Sequence, residues 1–339
     1  MVRKATNNLL QKAKKSKSDE FYTQLCDIES ELQYYPECFC GKVVYCNCDD
    51  PKVSNFFRFF KENFQRLGLR KLIASFYREQ SNDLFQIQVD ERPYYCEYEG
   101  SDENMIICHF HGDGDFRSRE SVDLLLQSDI VVTNPPFSLF REFIAQIVRY
   151  KKQFLVIGNV NAITYKEIFE LIQANKAWLG VNLGRGISGF IVPNHYQQYG
   201  TEISVNKEGQ TIIATNGCLW LTNLELKQRH DDIILTKYYY GNEEAYPTYD
   251  NCNGINVNKT QDIPKDYAGL MGVPITFLHK YNPEQFEIVK FRKGDDGKDL
   301  RINGKCPYFR ILIRNKKITR LNSVPLSNVR ERTINTIAN

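Results

Sequence analysis

No run of apolar residues in this sequence is long enough to cross a bilayer, and the first apolar pair, Leu9-Leu10, is too short for the core of a secretion signal. A membrane-bound or exported chain is therefore not expected, and the cytoplasm is the expected compartment. Internal repeats are missing as well. Net charge is only +3, so the chain is no polycationic coat for nucleic acid. The usual two-residue gap of zinc-binding cysteine pairs does not occur, because Cys38-x-Cys40 and Cys46-x-Cys48 are one residue apart. No metal is assigned to them. The ten cysteines, without a secretion signal, read as free thiols in a reducing compartment.

What is present is a chain of 339 residues, 42% hydrophobic, enough for one large core and an appended module. Its charge is uneven. Arg3, Lys4, Lys12, Lys14, Lys15 and Lys17 crowd the first seventeen residues with no acid among them, and a second basic set runs from Arg292 to Arg320. Basic ends around a near-neutral middle suit an anionic polymer as partner.

Alternation of short apolar runs with amphipathic segments dominates residues 42–183. Strands are expected at 42–46, 70–75, 105–109, 130–133, 154–157 and 177–183. A helix opens at Ser54 and closes at Gly68, another covers 118–127, and a third begins at Ser138 as its cap. A fourth follows the capping box Thr164-x-x-Glu167. Phe85, Ile87 and Val89, then Tyr94, Cys96 and Tyr98, alternate around a turn at 90–93, as an inserted hairpin would. The alternation predicts an α/β fold, a parallel sheet covered on both faces, with ligands beyond the carboxyl ends of its strands. After about Pro193 the pattern changes to short strands, tyrosine clusters and Asn/Gly/Pro turns, the composition of a recognition surface.

At one of those carboxyl ends stands Asn134-Pro-Pro-Phe137. Two prolines remove two backbone donors and hold the chain extended, which keeps a carbonyl available to an outside donor. The Asn134 amide oxygen and the Pro135 carbonyl are two fixed acceptors. They match the two N–H donors of an exocyclic amino group such as adenine N6, a poor nucleophile because its lone pair is delocalised into the ring. Gripping both hydrogens favours a pyramidal nitrogen and stabilises the positive charge that grows as it attacks. Phe137 would stack on the base, and a base that reacts this way must first leave its duplex.

With Asp19-Glu-Phe21-Tyr22-Thr23 upstream and Asp113-Gly-Asp115-Phe116 between, the motif resembles those of the gamma-ordered DNA adenine methyltransferases. The likeness runs through "VVYCNCDDPKVSNFF", "GRGISGFIVP" and "MGVPITFLHKYNPEQFE", and is greatest to the EcoRI-type modification enzymes of type II restriction–modification. It covers roughly residues 3–317. The resemblance implies a Rossmann-like S-adenosylmethionine-dependent methyltransferase sheet with a C-terminal mixed recognition region. The implied domains are a basic arm (1–18), a cofactor-binding and catalytic domain (19–193) and a target-recognition region (194–339) that contributes strands to the sheet. It further implies S-adenosylmethionine as cofactor and double-stranded DNA as partner, with a monomer acting on each strand in turn. The inner adenine of GAATTC is the implied target. Asn134, Pro135, Pro136 and Phe137 carry catalysis. Phe21, Tyr22, Thr23, Asn47, Asp49, Asp50, Asp115 and Phe116 hold the cofactor, with the choice between Asp49 and Asp50 open.

The sequence departs from the family in three places. Gln24 replaces a proline. The loop after the first strand, Cys46-Asn47-Cys48-Asp49-Asp50-Pro51, has no glycine. The second strand ends without the acid that usually grips the cofactor ribose, leaving Glu79 as a substitute. Other signals are set aside. Gly184-x-Gly186-x-x-Gly189 precedes Phe190-Ile-Val-Pro193, which cannot open a helix, so it is no dinucleotide fingerprint. Those glycines, with Arg185, suit close backbone approach to DNA. His109, His111, Asp113 and Asp115 imitate a metal cluster, yet methyl transfer from a sulfonium needs none. Tyr238–Tyr240 suits base stacking and core packing equally, and residues 251–259 and 309–317 are candidates for reading bases. The rival functions are an RNA adenine or protein glutamine methyltransferase, and a non-catalytic DNA-binding protein.

Overall fold

The computed structural model describes residues 22–77, 92–183, 187–192, 203–206, 209–214, 217–292, 300–307 and 309–318. Two compact units make up the chain, Met1–His230 and Asp231–Asn339. Strands of the first are β1 (Tyr22–Thr23), β2 (Val43–Asn47), β3 (Lys71–Phe76), β4 (Tyr94–Tyr98), β5 (Ile106–His109) and β6 (Ile130–Thr133). They continue with β7 (Gln153–Asn159), β8 (Trp178–Leu183), β9 (Phe190–Val192), β10 (Ile203–Val205), β11 (Thr211–Ile213) and β12 (Cys218–Thr222). Its helices are α1 (Leu25–Leu32), α2 (Asn55–Glu62), α3 (Phe64–Leu67), α4 (Arg119–Gln127), α5 (Phe140–Arg149) and α6 (Lys166–Gln173).

Burial explains the arrangement. β2, β6 and β12 are buried at every position, and β3 and β7 at all but their ends. Such strands need cover on both faces, which a central place in a sheet between helices supplies. The order of the eight-stranded sheet is β5-β4-β3-β2-β6-β7-β12-β8. Its centre, β3-β2-β6-β7, is parallel. Its flanks are antiparallel, β4 and β5 on one side and β12 between β7 and β8 on the other. The sheet is therefore mixed, where alternation alone predicted a parallel one. The link from Tyr98 to Ile106 is too short for a crossover, so β4 and β5 can pair only antiparallel.

The phenylalanines of α2 seal one face. Phe56, Phe57, Phe59 and Phe60 are buried, and Phe56 and Phe60 meet Trp220 and Phe39 edge-on at 6.0 and 5.2 Å. Ser54 caps this helix, accepting from the N–H groups of Phe56 and Phe57 at 3.1 and 3.4 Å. Gly68, at φ +63, ends α3 as expected, although Asn63 breaks the helix in two. Two expected caps are not formed. Residues Phe137–Leu139 wind as a 3₁₀ turn, α5 starts at Phe140, and Ser138 does not cap it. Thr164 donates to the Asn161 carbonyl at 2.8 Å within another 3₁₀ turn, and α6 begins uncapped after Tyr165. In both places a 3₁₀ turn fills the first turn and the helix starts later.

A four-stranded antiparallel sheet, β1-β9-β11-β10, completes the described part of the first unit. The second unit is a five-stranded sheet of order β13-β14-β15-β17-β16. Its strands are β13 (Thr248–Tyr249), β14 (Cys252–Asn256), β15 (Leu270–Pro274), β16 (Phe286–Arg292) and β17 (Arg310–Asn315). β17 lies between β15 and β16 and is mostly buried, with Arg310 bonded to Asn256 and Arg314 paired with Glu287. Arg314, Lys316 and Lys317 of the segment 309–317 remain exposed. The basic arm, residues 78–91 with Glu79 and half of the expected hairpin, Gly184 to Gly186, and 319–339 lie outside the described residues.

Candidate active site

β2, β3, β6 and β7 point their carboxyl ends to one edge of the sheet, and the chemistry-bearing residues sit there. After β2 the chain must turn sharply without a glycine. Cys48 makes the turn by taking a left-handed backbone, φ +78, a conformation that L-residues adopt at a cost of about 1–2 kcal/mol. The following Asp49 is buried and its N–H donates to the Ser75 carbonyl at 3.1 Å, tying the loop to the end of β3. Its Oδ1 accepts from Ser54 Oγ at 2.7 Å, and its Oδ2 is in hydrogen-bond contact with Thr133 Oγ1. Thr133 Oγ1 also reaches the Asn47 carbonyl at 2.5 Å. Burial pushes the Asp49 carboxyl up to about 7, against the bonds from Thr133 and Ser54. Asp50 is less buried and accepts from the Tyr94 hydroxyl at 2.5 Å and the Lys52 N–H at 2.9 Å.

Asn134 follows Thr133 directly. Pro135 is buried, and its carbonyl receives no backbone donor among the described residues, whereas the Pro136 carbonyl is spent on the Leu139 N–H at 3.0 Å. Of the two proline carbonyls, Pro135's is the available acceptor. The Phe137 ring lies 6.0 Å from that of Phe190. Phe190 stands opposite Thr23 in the β1–β9 pair, and Asn55 at the start of α2 donates to the Thr23 carbonyl at 2.8 Å. The segment Tyr22-Thr23, the loop Asn47 to Asp50 and the motif at Asn134 are thus brought together. Phe21 lies outside the described residues.

Asp115 and Phe116 sit at the end of β3. Gly114, at φ +77, packs so closely that a Cβ there would stand 2.8 Å from the Phe76 carbonyl oxygen. Burial disfavours the charge on Asp115, but the Arg117 guanidinium, bonded to both carboxylate oxygens, holds it below the usual range. Phe116 is buried against Phe143 at 5.3 Å.

Sequence reasoning missed the supports: Thr133, Asn55, Phe190, and Asp27, which accepts from the Ser188 N–H and hydroxyl at 3.0 Å each. Only Asn55 left a signal, since it directly follows a helix cap. Two buried atoms in the cluster, Thr23 Oγ1 and Asn47 Oδ1, have no hydrogen-bond partner among the described residues. Such atoms ask for a polar ligand. Among the described residues no three His, Cys, Asp or Glu side chains are grouped to hold a metal, and no helix is long and apolar enough to cross a membrane.

The family described as "adenine-specific methyltransferase EcoRI" matches residues 9–316. The type II methyltransferase M.EcoRI of Escherichia coli is 63% identical over 324 residues, 94% of this chain and 99% of that protein. M.MgeORF184P of Mycoplasma genitalium is 38% identical, over 91% of this chain and 98% of its own length. M.MpnI of Mycoplasma pneumoniae is 37% identical, over 90% and 98%. No solved structure gives a significant match.

Proposed function

Because the chain belongs to the EcoRI family of adenine-specific type II DNA methyltransferases, we propose that it methylates the N6 amino group of an adenine flipped out of duplex DNA, with S-adenosylmethionine as donor. The observation that carries this is the meeting of Tyr22-Thr23, Asn47 and Asn134-Pro-Pro-Phe137 at one sheet edge. The mixed sheet, with β12 inserted antiparallel between β7 and β8, supports a Rossmann-like methyltransferase core.

The residues present fit the cofactor. Thr23 Oγ1 and Asn47 Oδ1 are buried acceptors still to be satisfied, and Asp50 offers a carboxylate to the ammonium of the methionine end. Asp115 and Phe116 are assigned to the adenine end. When bound, the cofactor supplies an electrophilic methyl group on a sulfonium. The protein supplies the rest. Asn134 Oδ1 and the Pro135 carbonyl accept the two N6 hydrogens and hold the nitrogen so that its lone pair is free of the ring. Positive charge grows on that nitrogen during attack, and both oxygens stabilise it there. Phe137, set against Phe190, stacks on the extruded base.

The target proposed is the inner adenine of GAATTC, supported by the 63% identity to M.EcoRI across both units. Such a product protects DNA from a cognate endonuclease, and a monomer suffices for it. The cytoplasm is the proposed compartment. The test is protection: plasmid treated with this protein and S-adenosylmethionine resists EcoRI endonuclease. Labelled methyl groups appearing in DNA that is still fully cut would overturn the target. Labelling of RNA or protein in place of DNA would overturn the acceptor.

A further inference from the structure

Two oxygens meet around one hydroxyl at the end of β6. Thr133 Oγ1 touches the Asn47 carbonyl oxygen on one side and Asp49 Oδ2 on the other. Thr133 is fully buried, and Asp49 and Asn47 are nearly so. A threonine hydroxyl has one proton, and neither a carbonyl nor an ionised carboxylate can provide a second. With Asp49 ionised, one of the two contacts sets lone pairs against lone pairs in a dry interior. With Asp49 protonated, both are hydrogen bonds. Asp49 then donates to Thr133, Thr133 donates to Asn47, and Ser54 still donates to the other carboxyl oxygen.

We propose that Asp49 is a positioning residue that keeps its proton: through Thr133 it fixes the strand end that presents Asn134, and it leaves the cationic end of the cofactor to Asp50. Every element packed on it agrees. β2 and its loop bring the thiols of Cys46 and Cys48 and the carboxylate of Asp50, α2 brings the Ser54 hydroxyl, β6 brings Thr133, and β3 brings the Ser75 carbonyl. Among the described residues no cation is among the groups that act on it, and the charge of Asp50 adds to the effect of burial. Asp50 differs on each count. It is less buried, and its donors are a phenol and a backbone N–H.

The inference rests on the proposed use of S-adenosylmethionine, and its test separates the two. Asparagine copies a neutral carboxylic acid, with an N–H for Thr133 and a carbonyl for Ser54. In calorimetry on the full chain, Asp49→Asn should bind S-adenosylmethionine within about threefold of wild type, and Asp50→Asn should bind about tenfold or more weakly. Thr133→Val should lose about tenfold or more in kcat with little change in cofactor affinity, and Thr133→Ser should restore kcat.

A second readout needs no cofactor. Asp49 holds its proton in the fold at pH values where the unfolded chain has released it, so its stabilising effect is full at low pH. That effect is lost as pH rises through the folded value. From about pH 5 to about pH 8 the thermal midpoint of wild type should fall relative to that of Asp49→Asn. Parallel pH curves, or a tenfold loss of cofactor in Asp49→Asn with Asp50→Asn unchanged, would overturn the inference. Wild type that binds no S-adenosylmethionine overturns the functional reading on which it rests.

Discussion

Phe190 and Phe137 lie with ring centroids 6.0 Å apart, although fifty-three positions separate them in the chain. Phe190 is held by the β1–β9 pair, and so it backs Phe137 from the side of Tyr22-Thr23. Truncating it should loosen Phe137 without touching the base. With 2-aminopurine at the target adenine, Phe190→Ala should give a smaller fluorescence rise than wild type, a loss of about 0.5–1.5 kcal/mol in flipping. Phe137→Ala should lose more, since about 1–3 kcal/mol of stacking goes with it. Equal signals in Phe190→Ala and wild type would show that the ring contact does not support the base.

In the proposed mechanism Asn134 acts when charge develops on N6. Asn134→Ala should therefore appear in turnover, about 2–4 kcal/mol in the barrier, with DNA and cofactor binding nearly intact. Single-turnover kinetics beside calorimetry separates the two effects. A variant that turns over at the wild-type rate would remove Asn134 from the chemistry.

The strained turn at Cys48 gives a stability test. At φ +78 a glycine is free of the cost that any side chain meets. Part of this gain is offset by the greater freedom of glycine in the unfolded chain. Cys48→Gly should stabilise the protein by about 0.5–1 kcal/mol in urea unfolding. Destabilisation would mean that the thiol's packing outweighs the backbone strain.

Glu31 is buried and joins α1 to β8. Its carboxylate accepts from the N–H groups of Val181 and Asn182 at 2.9 and 2.8 Å and from the Tyr35 hydroxyl at 2.8 Å. Glu31→Ala leaves all three donors stranded and should cost about 3 kcal/mol or more. Denaturant titration reads the loss. A variant unfolding at the wild-type midpoint would show that water replaces the carboxylate without penalty.

Legibility in the sequence followed the range of the interactions. Asn134-Pro-Pro-Phe137 could be read because prolines and their carbonyls act within a few residues. Ser54 as a cap and Gly68 as a stop are local in the same way. Ser138 and Thr164 carry equally good cap signals, yet 3₁₀ turns displaced both helix starts. Thr133 reads as one more β-branched residue in a buried strand, and nothing in its neighbours announces that its hydroxyl meets Asn47 and Asp49. Phe190 is invisible for the opposite reason, since its partner lies far away in the chain. The absent glycine after β2 was visible, but that a cysteine adopts the left-handed turn instead was not.

The place of β12 bears on how this enzyme is made. It lies between β7 and β8, so β8 has no other neighbour in the eight-stranded sheet. During synthesis β7 and β8 leave the ribosome first and wait for Cys218–Thr222 before the sheet can close. Until then two strands expose unpaired backbone, the state in which nascent chains are prone to misassembly. Closure is a long-range event in sequence, which slows folding. A fragment ending at the glycine-rich region around Gly189 would therefore hold every residue proposed for catalysis and still lack the strand that completes its sheet.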